Sequence, residues 1–182
     1  MQKDFDKIEY CKIILVVGPS GAGKDTLIRY AKKKFSADKN IIFLKRYITR
    51  KSDEYEDNYY ISSKEFYILK QQNFFFTTWE AYNYQYGISF NNVELNGKKI
   101  VISISRTKVN DFEKKFKNVL TLFITASPES LRKRLKKRHR DSFWENRLER
   151  QLLPFNAKRL VKIINEDIEL AKKQFINAIK FF

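Results

Sequence analysis

The sequence predicts an α/β domain of three layers, in which a central and mainly parallel sheet lies between helices. Residues 12–17 form an unbroken β-branched and aliphatic run, which is typical of a strand buried on both faces. Three of the five glycines lie within 18–23, directly after this run. Apolar residues then recur at helical spacing over 25–35. Strand, glycine-rich turn and helix form the first unit of an α/β fold.

The same alternation of apolar strand runs and amphipathic helices continues along the chain. Further strands are predicted at 40–44, 73–78, 84–89, 99–104, 118–124 and 161–164. Further helices are predicted at 62–71, 91–97, 108–116, 127–153 with a break near 139–142, and 166–181. Residues 62–65 form a capping box, and Ser127-Pro128-Glu129 places serine at the N-cap and proline at the first helical position.

The composition limits the classes of protein that the chain can belong to. Hydrophobic residues make up 43% of it, too many for a disordered tail. No apolar run approaches the ~20 residues that a membrane span needs, and residues 13–17 run into glycine rather than a signal-peptide cleavage site. Cys11 is the only cysteine, so an intrachain disulfide is impossible, and a structural zinc site is nearly excluded. We expect a cytoplasmic protein without a membrane partner.

The formal net charge of +16 indicates an anionic partner. The lysine clusters at 32–34, 114–115 and 172–173 lie in amphipathic stretches, and we interpret them as solvated helix faces. Nucleic acid stays an alternative partner, although no aromatic–basic module of a known nucleic-acid-binding type is visible. A small phosphorylated substrate is the expected partner, and a homodimer is left open.

Residues 18–25 fit the phosphate-binding pattern Gly-x-x-x-x-Gly-Lys. Glycines let the backbone curl so that successive N–H groups face phosphate oxygens, and the following helix adds its positive end. A lysine at this position places a mobile positive charge against the β- and γ-phosphates. The predicted ATP-binding residues of this P-loop are Gly18, Pro19, Ser20, Gly21, Ala22, Gly23, Lys24, Asp25 and Thr26.

Asp25 stands where this pattern usually has a serine or threonine hydroxyl for Mg²⁺. A carboxylate is itself a good Mg²⁺ ligand, and a negative charge beside phosphates is favourable when a metal lies between them. We therefore predict that Asp25 contacts the metal. In the alternative, Asp25 only stabilises the helix dipole and Thr26 meets the metal.

Arginines and tyrosines that follow predicted strands are candidates for binding the acceptor. Arg46 and Arg50 lie four apart beyond a strand and could form a planar fork for phosphate oxygens, or a surface pair with nearby acidic residues. Arg106 follows a strand end, where open α/β sheets place ligands. Tyr59 and Tyr86 could donate hydroxyls to phosphate, or pack in the core.

A basic helical segment provides candidate catalytic residues. Residues 132–140 include seven Lys or Arg side chains, and Arg134 and Arg138 share one helical face. With Arg147 they could stabilise charge on the transferring phosphoryl group, or form a solubilising or nucleic-acid-binding patch. Asn165 ends a predicted strand and could meet adenine, or cap the last helix.

Over nearly its whole length, the sequence resembles the guanylate-kinase-like group of nucleoside monophosphate kinases. The segments that carry the resemblance are 18–27, 49–50, 59–66, 86–87, 134–138, 146–148 and 164–165. The resemblance implies ATP and Mg²⁺ as cofactors. It also implies that the arginine and tyrosines after the second strand clamp the acceptor's phosphate, and that the later arginines line a lid over ATP.

Within that group, the details resemble the ribose 1,5-bisphosphate phosphokinases. The matching features are residues 23–26, 46–50 and 78–87 and the pair Ser105-Arg106. Guanylate kinases typically read guanine with two carboxylates, where this chain has Thr78 and the 103–106 segment. The resemblance therefore implies an acceptor with a second phosphate and no base. A guanylate or other nucleoside monophosphate kinase, and a non-catalytic binding module, are the alternatives.

One domain is expected for 182 residues without repeats or linkers. We predict a P-loop kinase core at 10–36 and 96–182, a small acceptor-binding insertion at about 37–95 and a lid at about 130–150.

Overall fold

The computed structural model describes residues 7–51, 57–137 and 155–182. In chain order, its elements are β1 (Ile8–Val17), α1 (Lys24–Lys34), β2 (Ile41–Leu44), β3 (Tyr47–Ile48), β4 (Tyr59–Tyr60), α2 (Ser63–Gln71), β5 (Thr77–Ala81), β6 (Tyr84–Ile88), β7 (Lys99–Ser103), α3 (Val109–Lys115), β8 (Phe116–Thr125), α4 (Pro128–Lys137), β9 (Leu160–Ile164) and α5 (Ile168–Phe181). A 3-10 turn at Arg106–Lys108 precedes α3.

The central sheet has the strand order β2-β7-β1-β8-β9, and all of its strand pairs are parallel. Alternate residues of β1 point into different cores, because successive side chains of a strand face opposite sides. Ile14 and Val16 pack in a cluster that also contains residues of α1 and α5. Ile13 and Leu15 pack in a second cluster, with Phe112 of α3. The predicted three-layer α/β fold with a parallel central sheet is confirmed.

A second, mixed sheet with the strand order β4-β3-β6-β5 lies between β2 and β7 in the chain. Its hairpin β5–β6 packs on an aromatic cluster in which Phe66 of α2 stacks on Phe75 at 4.7 Å between ring centroids. A Cβ on Gly87 would lie 2.6 Å from the Phe75 ring, so only glycine fits there. The second sheet covers 47–88, and β2 belongs to the central sheet. The predicted insertion at about 37–95 includes β2 as well as this sheet, and its role in acceptor binding stays a prediction.

Two predicted elements need correction, and two short strands were not predicted. Residues 91–97 form turns rather than a helix, and Gly97 lies in the left-handed region with its N–H bonded to the Tyr10 carbonyl at 2.7 Å. The strand predicted at 73–78 begins only at Thr77, because Asn73 adopts a φ of 53° that ends α2 with a turn. The two-residue strands β3 and β4 were not predicted, since they are too short to show a period.

The helix predicted at 127–153 is confirmed over its first part as α4. The Ser127 hydroxyl accepts from the Ser130 N–H at 3.1 Å, which is the predicted N-cap. Residues 138–154 lie outside the described residues. In the described ranges, no helix is long and apolar enough to cross a membrane.

Candidate active site

The candidate site lies at the edge where the carboxyl ends of the parallel strands meet, which is where open α/β sheets bind ligands. The P-loop follows β1, Arg46 follows β2, Ser105 follows β7 and Asn165 follows β9. The sheet therefore brings together predicted residues that are far apart in the sequence.

Two close approaches fix the path of the P-loop. Gly18 has a φ of 147°, and a Cβ there would lie 2.0 Å from the carbonyl oxygen of Ile124 on β8. Gly23 has a φ of 91°, and a Cβ there would lie 2.3 Å from the side-chain nitrogen of Asn165. The loop is thus tied to two neighbouring strands of the sheet. Helix α1 begins at Lys24, so its positive N-terminal end lies at the loop, as the phosphate-binding prediction requires.

The ammonium group of Lys24 folds back over the loop. It donates to the main-chain carbonyls of Gly18 at 2.9 Å and Pro19 at 2.8 Å. These hydrogen bonds hold the positive charge of Lys24 at the loop. The main-chain amides and the N-terminal end of α1 favour an anion at the same place.

Asn165 links the loop to the basic helix α4. Its side-chain amide donates to the Ala22 carbonyl at 2.8 Å, and its own main-chain carbonyl accepts from the Arg134 guanidinium at 2.7 Å. Asn165 is 3% exposed. It does not cap the last helix, because the Asp167 carboxylate accepts from the N–H groups of Glu169 and Leu170. The adenine contact of Asn165 stays a prediction.

Arg46 lies in an open cleft between α1, β2, β7 and the loop before β4. Its Nε donates to the Asn58 side-chain oxygen at 3.1 Å, and one terminal nitrogen donates to the Ser103 hydroxyl at 3.3 Å. The other terminal nitrogen is 3.7 Å from a carboxylate oxygen of Asp25. These contacts aim the guanidinium at the first turn of the P-loop helix. The binding of the acceptor's phosphate by Arg46 stays a prediction.

Arg50, Tyr59 and Tyr86 occupy different places on the second sheet. The Arg50 guanidinium lies 5.8 Å from the centre of the Tyr84 ring. Tyr59 is half exposed, and Tyr86 is buried with its ring stacked on Trp79 at 5.3 Å. None of these three side chains lines the cleft around Arg46, although the centre of the Tyr86 ring lies 6.0 Å from the Arg46 guanidinium. Their substrate contacts, and the Arg46–Arg50 fork, stay predictions.

Three further predicted residues, Ser105, Arg106 and Thr26, follow or begin elements at this edge. The Ser105 hydroxyl is 2.9 Å from the Thr107 hydroxyl, and Arg106 begins the 3-10 turn after β7. Thr26 is exposed on α1. Arg138 and Arg147 lie outside the described residues.

Asp25 is the candidate protein ligand for a Mg²⁺ ion at this site. Its carboxylate is in the first turn of α1, 28% exposed, beside the P-loop and Arg46. In the described ranges, no group of three or more His, Cys, Asp or Glu side chains is placed so that it could hold a metal ion by itself. One protein carboxylate, phosphate oxygens and water form the usual Mg²⁺ shell in kinases. The hard oxygen donor of Asp25 therefore suits the ion.

Sequence reasoning missed several polar groups of the site. Asn58 and Ser103 orient Arg46, and Asp57 binds Lys32 and Lys45 at the mouth of the cleft. Lys32 lies on an exposed helix face, as predicted, and its ammonium group in addition pairs with Asp57. The residues of each interacting pair come from separate elements, so no local pattern in the sequence predicts the contacts.

Glu166 was missed as well. Its carboxylate accepts from the Ser130 hydroxyl at 2.7 Å and from the Ser127 N–H, so it fixes the start of α4. These hydrogen bonds lower the pKa of Glu166, the Ser130 hydroxyl having the largest effect.

A P-loop on a parallel sheet, with a lysine at its end and an arginine-bearing cleft beside it, defines a P-loop phosphotransferase architecture. Comparison with known proteins agrees. The family model for guanylate kinase matches residues 10–180. Because that match covers more than half of the sequence, the chain belongs to the guanylate kinase family.

Curated relatives and solved structures are consistent with this family. The chain is similar to ribose 1,5-bisphosphate phosphokinase PhnN of Bradyrhizobium diazoefficiens, with 33% identity over 177 residues, which cover 93% of this chain and 88% of the relative. It is 37% identical over 154 residues to the protein of that name from Acidiphilium cryptum, with 82% of each covered. The guanylate kinase structure from Anaplasma phagocytophilum shares the fold, with a TM-score of 0.67, 22% identity and coverage of 95% and 87%.

Proposed function

We propose that this chain transfers the γ-phosphoryl group of ATP to ribose 1,5-bisphosphate and forms 5-phosphoribosyl 1-diphosphate. Two relatives that are named for this activity are 33% and 37% identical to the chain over most of its length. In the site itself, the proposal is carried by one observation: the Arg46 guanidinium lies in a cleft beside Asp25, at the first turn of the P-loop helix. An acceptor phosphate bound by Arg46 lies next to the donor's binding loop.

The donor side of the reaction uses the P-loop. The amides of residues 18–24 and the N-terminal end of α1 bind the phosphates of ATP, and Lys24 neutralises charge on the β- and γ-phosphates. The close packing of Gly18 on β8 and of Gly23 on the Asn165 side chain holds these amides in place. Such preorganisation matters because groups already aligned need no reorganisation during phosphoryl transfer.

The acceptor side uses Arg46 with its supports Asn58 and Ser103. The attacking phosphate oxygen is already ionised, so the reaction needs alignment and charge neutralisation rather than a strong general base. A guanidinium suits this role because its planar fork matches two phosphate oxygens. Mg²⁺, held by Asp25 and the phosphates, would supply further neutralisation of the phosphoryl group.

The basic helix completes the proposed machinery. We assign Arg134, Arg138 and Arg147 to a lid at about 130–150 that neutralises charge on the transferring group. The second sheet is the acceptor-binding insertion. The protein is expected to act in the cytoplasm.

A nucleoside monophosphate kinase is the second candidate, and the match of the guanylate kinase family model to residues 10–180 favours it. A guanine ring presents N–H donors at its edge, so its recognition calls for carboxylate acceptors. Thr78 offers a hydroxyl instead. The Ser103 hydroxyl is bonded to Arg46, and the strand end after it carries Arg106. These side chains suit an anionic sugar better than a purine.

An acceptor panel tests the proposal. The rate of ADP formation is measured with ATP and Mg²⁺ and with ribose 1,5-bisphosphate, GMP or other nucleoside monophosphates, and with no acceptor as the control. We expect kcat/KM for the sugar bisphosphate to exceed that for GMP at least 100-fold, or about 2.7 kcal/mol. A preference for GMP would establish the second candidate, and no turnover with any acceptor would indicate a binding module.

A further inference from the structure

The cleft beside the P-loop carries a second group of basic side chains, about two helical turns from the first. Asp25, Ile28, Arg29 and Lys32 line the cleft from α1. They have the spacing of one helical face, so Lys32 lies roughly 10 Å along the axis from Asp25. Arg46 marks the end of the cleft near the P-loop, and Lys32 marks the other.

At that other end, two ammonium groups converge on one carboxylate. Lys32 of α1 and Lys45, which follows β2, each bind a different oxygen of Asp57, at 2.7 Å and 2.5 Å. Burial raises the pKa of Asp57, but the hydrogen bonds and charges of the two lysines outweigh it and hold the pKa below its ordinary value. The carboxylate is thus bound as an anion by two cations from separate elements.

Stability does not account for this arrangement. The side chains of Lys32, Lys45 and Asp57 are 49%, 34% and 55% exposed, and pairs so exposed contribute little to folding. The three side chains also keep a net positive charge. Two ammonium groups, each placed on its own oxygen of one anion, form the arrangement that binds two oxygens of a phosphate.

We propose that Lys32 and Lys45 bind the acceptor's second phosphate, the one that does not receive the γ-phosphoryl group. In the free protein, the Asp57 carboxylate occupies this second-phosphate subsite. The proposal rests on the proposed function and deepens it. An acceptor with two phosphates separated by a sugar ring matches a cleft with Arg46 at one end and the two lysines at the other. When the acceptor binds, its phosphate displaces the Asp57 carboxylate. Asp57 thereby disfavours ligands whose far end carries less charge than a phosphate.

The subsite is tested with ribose 5-phosphate, which has the second phosphate but no accepting phosphate. Its dissociation constant is measured calorimetrically without ATP, and the KM of ribose 1,5-bisphosphate is measured in parallel. Because a charge-assisted hydrogen bond to phosphate is lost, Lys32→Ala and Lys45→Ala should each weaken both at least tenfold, with kcat changed less than threefold. Lys33→Ala, which removes the same charge from the exposed side of α1, is the matched control and should change neither.

Asp57→Asn should have the opposite effect on ribose 5-phosphate binding. Since it removes the competing anion, it should tighten ribose 5-phosphate binding by about threefold to tenfold. If Asp57→Asn weakens binding as Lys32→Ala does, the three side chains only shape the cleft and the proposal is wrong. Equal effects of Lys32→Ala and Lys33→Ala would also overturn it. The calorimetric measurement needs no turnover, so it stands even if the acceptor panel assigns the chain another reaction.

Discussion

The side-chain amide of Asn165 donates a hydrogen bond to the main-chain carbonyl of Ala22 at 2.8 Å, and it fills the space that a side chain at Gly23 would need. The end of β9 is thereby fastened to the P-loop. The Arg134 guanidinium donates a second hydrogen bond, to the main-chain carbonyl of Asn165. The shape of the loop depends on a residue 143 positions away in the sequence.

Asn165→Ala should destabilise the protein by about 1–3 kcal/mol, because the buried Ala22 carbonyl loses its donor. The free energy of unfolding from urea titration measures this effect. Asn118→Ala is the control, since its amide donates to the Glu9 carbonyl in an exposed setting. We expect a change within about 0.5 kcal/mol there. Equal losses in the two variants would contradict the fastening role of Asn165.

Gly23→Ala should weaken both folding and ATP binding. A methyl group there would lie 2.3 Å from the Asn165 nitrogen, on a backbone with a φ of 91°. Gly97→Ala is the matched control, because Gly97 has a φ of 69° but no atom within 4 Å of an added Cβ. Backbone strain alone costs about 1–2 kcal/mol, so the loss at Gly23 should exceed that at Gly97 by at least about 1 kcal/mol in urea unfolding. The same loss at both glycines would remove the steric argument.

Arg46→Lys should raise the KM of the acceptor at least tenfold and leave the KM of ATP within about threefold. A lysine carries the charge but cannot bond Asn58 and Ser103 together while facing Asp25. Steady-state kinetics with each substrate varied separately provide the measurement. Arg159→Lys, at an exposed position before β9, is the control and should behave as the unmodified protein. An unchanged acceptor KM would take Arg46 out of the acceptor site.

Cys11 should make stability fall with rising pH in alkaline solution. Burial of this 2% exposed side chain raises the pKa of the thiol from 9.0 to about 11. Between these values the unfolded chain loses the proton and the folded protein keeps it, so unfolding is favoured by up to about 1.4 kcal/mol per pH unit. The stability of Cys11→Ala should lack this slope. Subtracting the two pH profiles isolates the thiol from lysine and tyrosine titration, and parallel profiles would contradict the burial effect.

The sequence predicted best what local patterns determine. The unbroken apolar run of β1 predicted a buried parallel strand, and the serine and glutamate of the 62–65 segment predicted the start of α2, where both capping bonds are present. The helix predicted at 91–97 was wrong because asparagine and glycine are as common in turns as at helix ends. The environment of Arg46 could not be predicted, since its partners Asn58 and Ser103 reach it only through tertiary packing.

Transfer of label from γ-³²P-ATP tests the central claim most directly. The protein is incubated with Mg²⁺ and ribose 1,5-bisphosphate, and the labelled products are separated. We predict label in 5-phosphoribosyl 1-diphosphate, and a loss of at least 100-fold in rate for Lys24→Ala with the circular dichroism spectrum unchanged. Label found only in inorganic phosphate, or a Lys24→Ala variant as active as the original protein, would contradict the account.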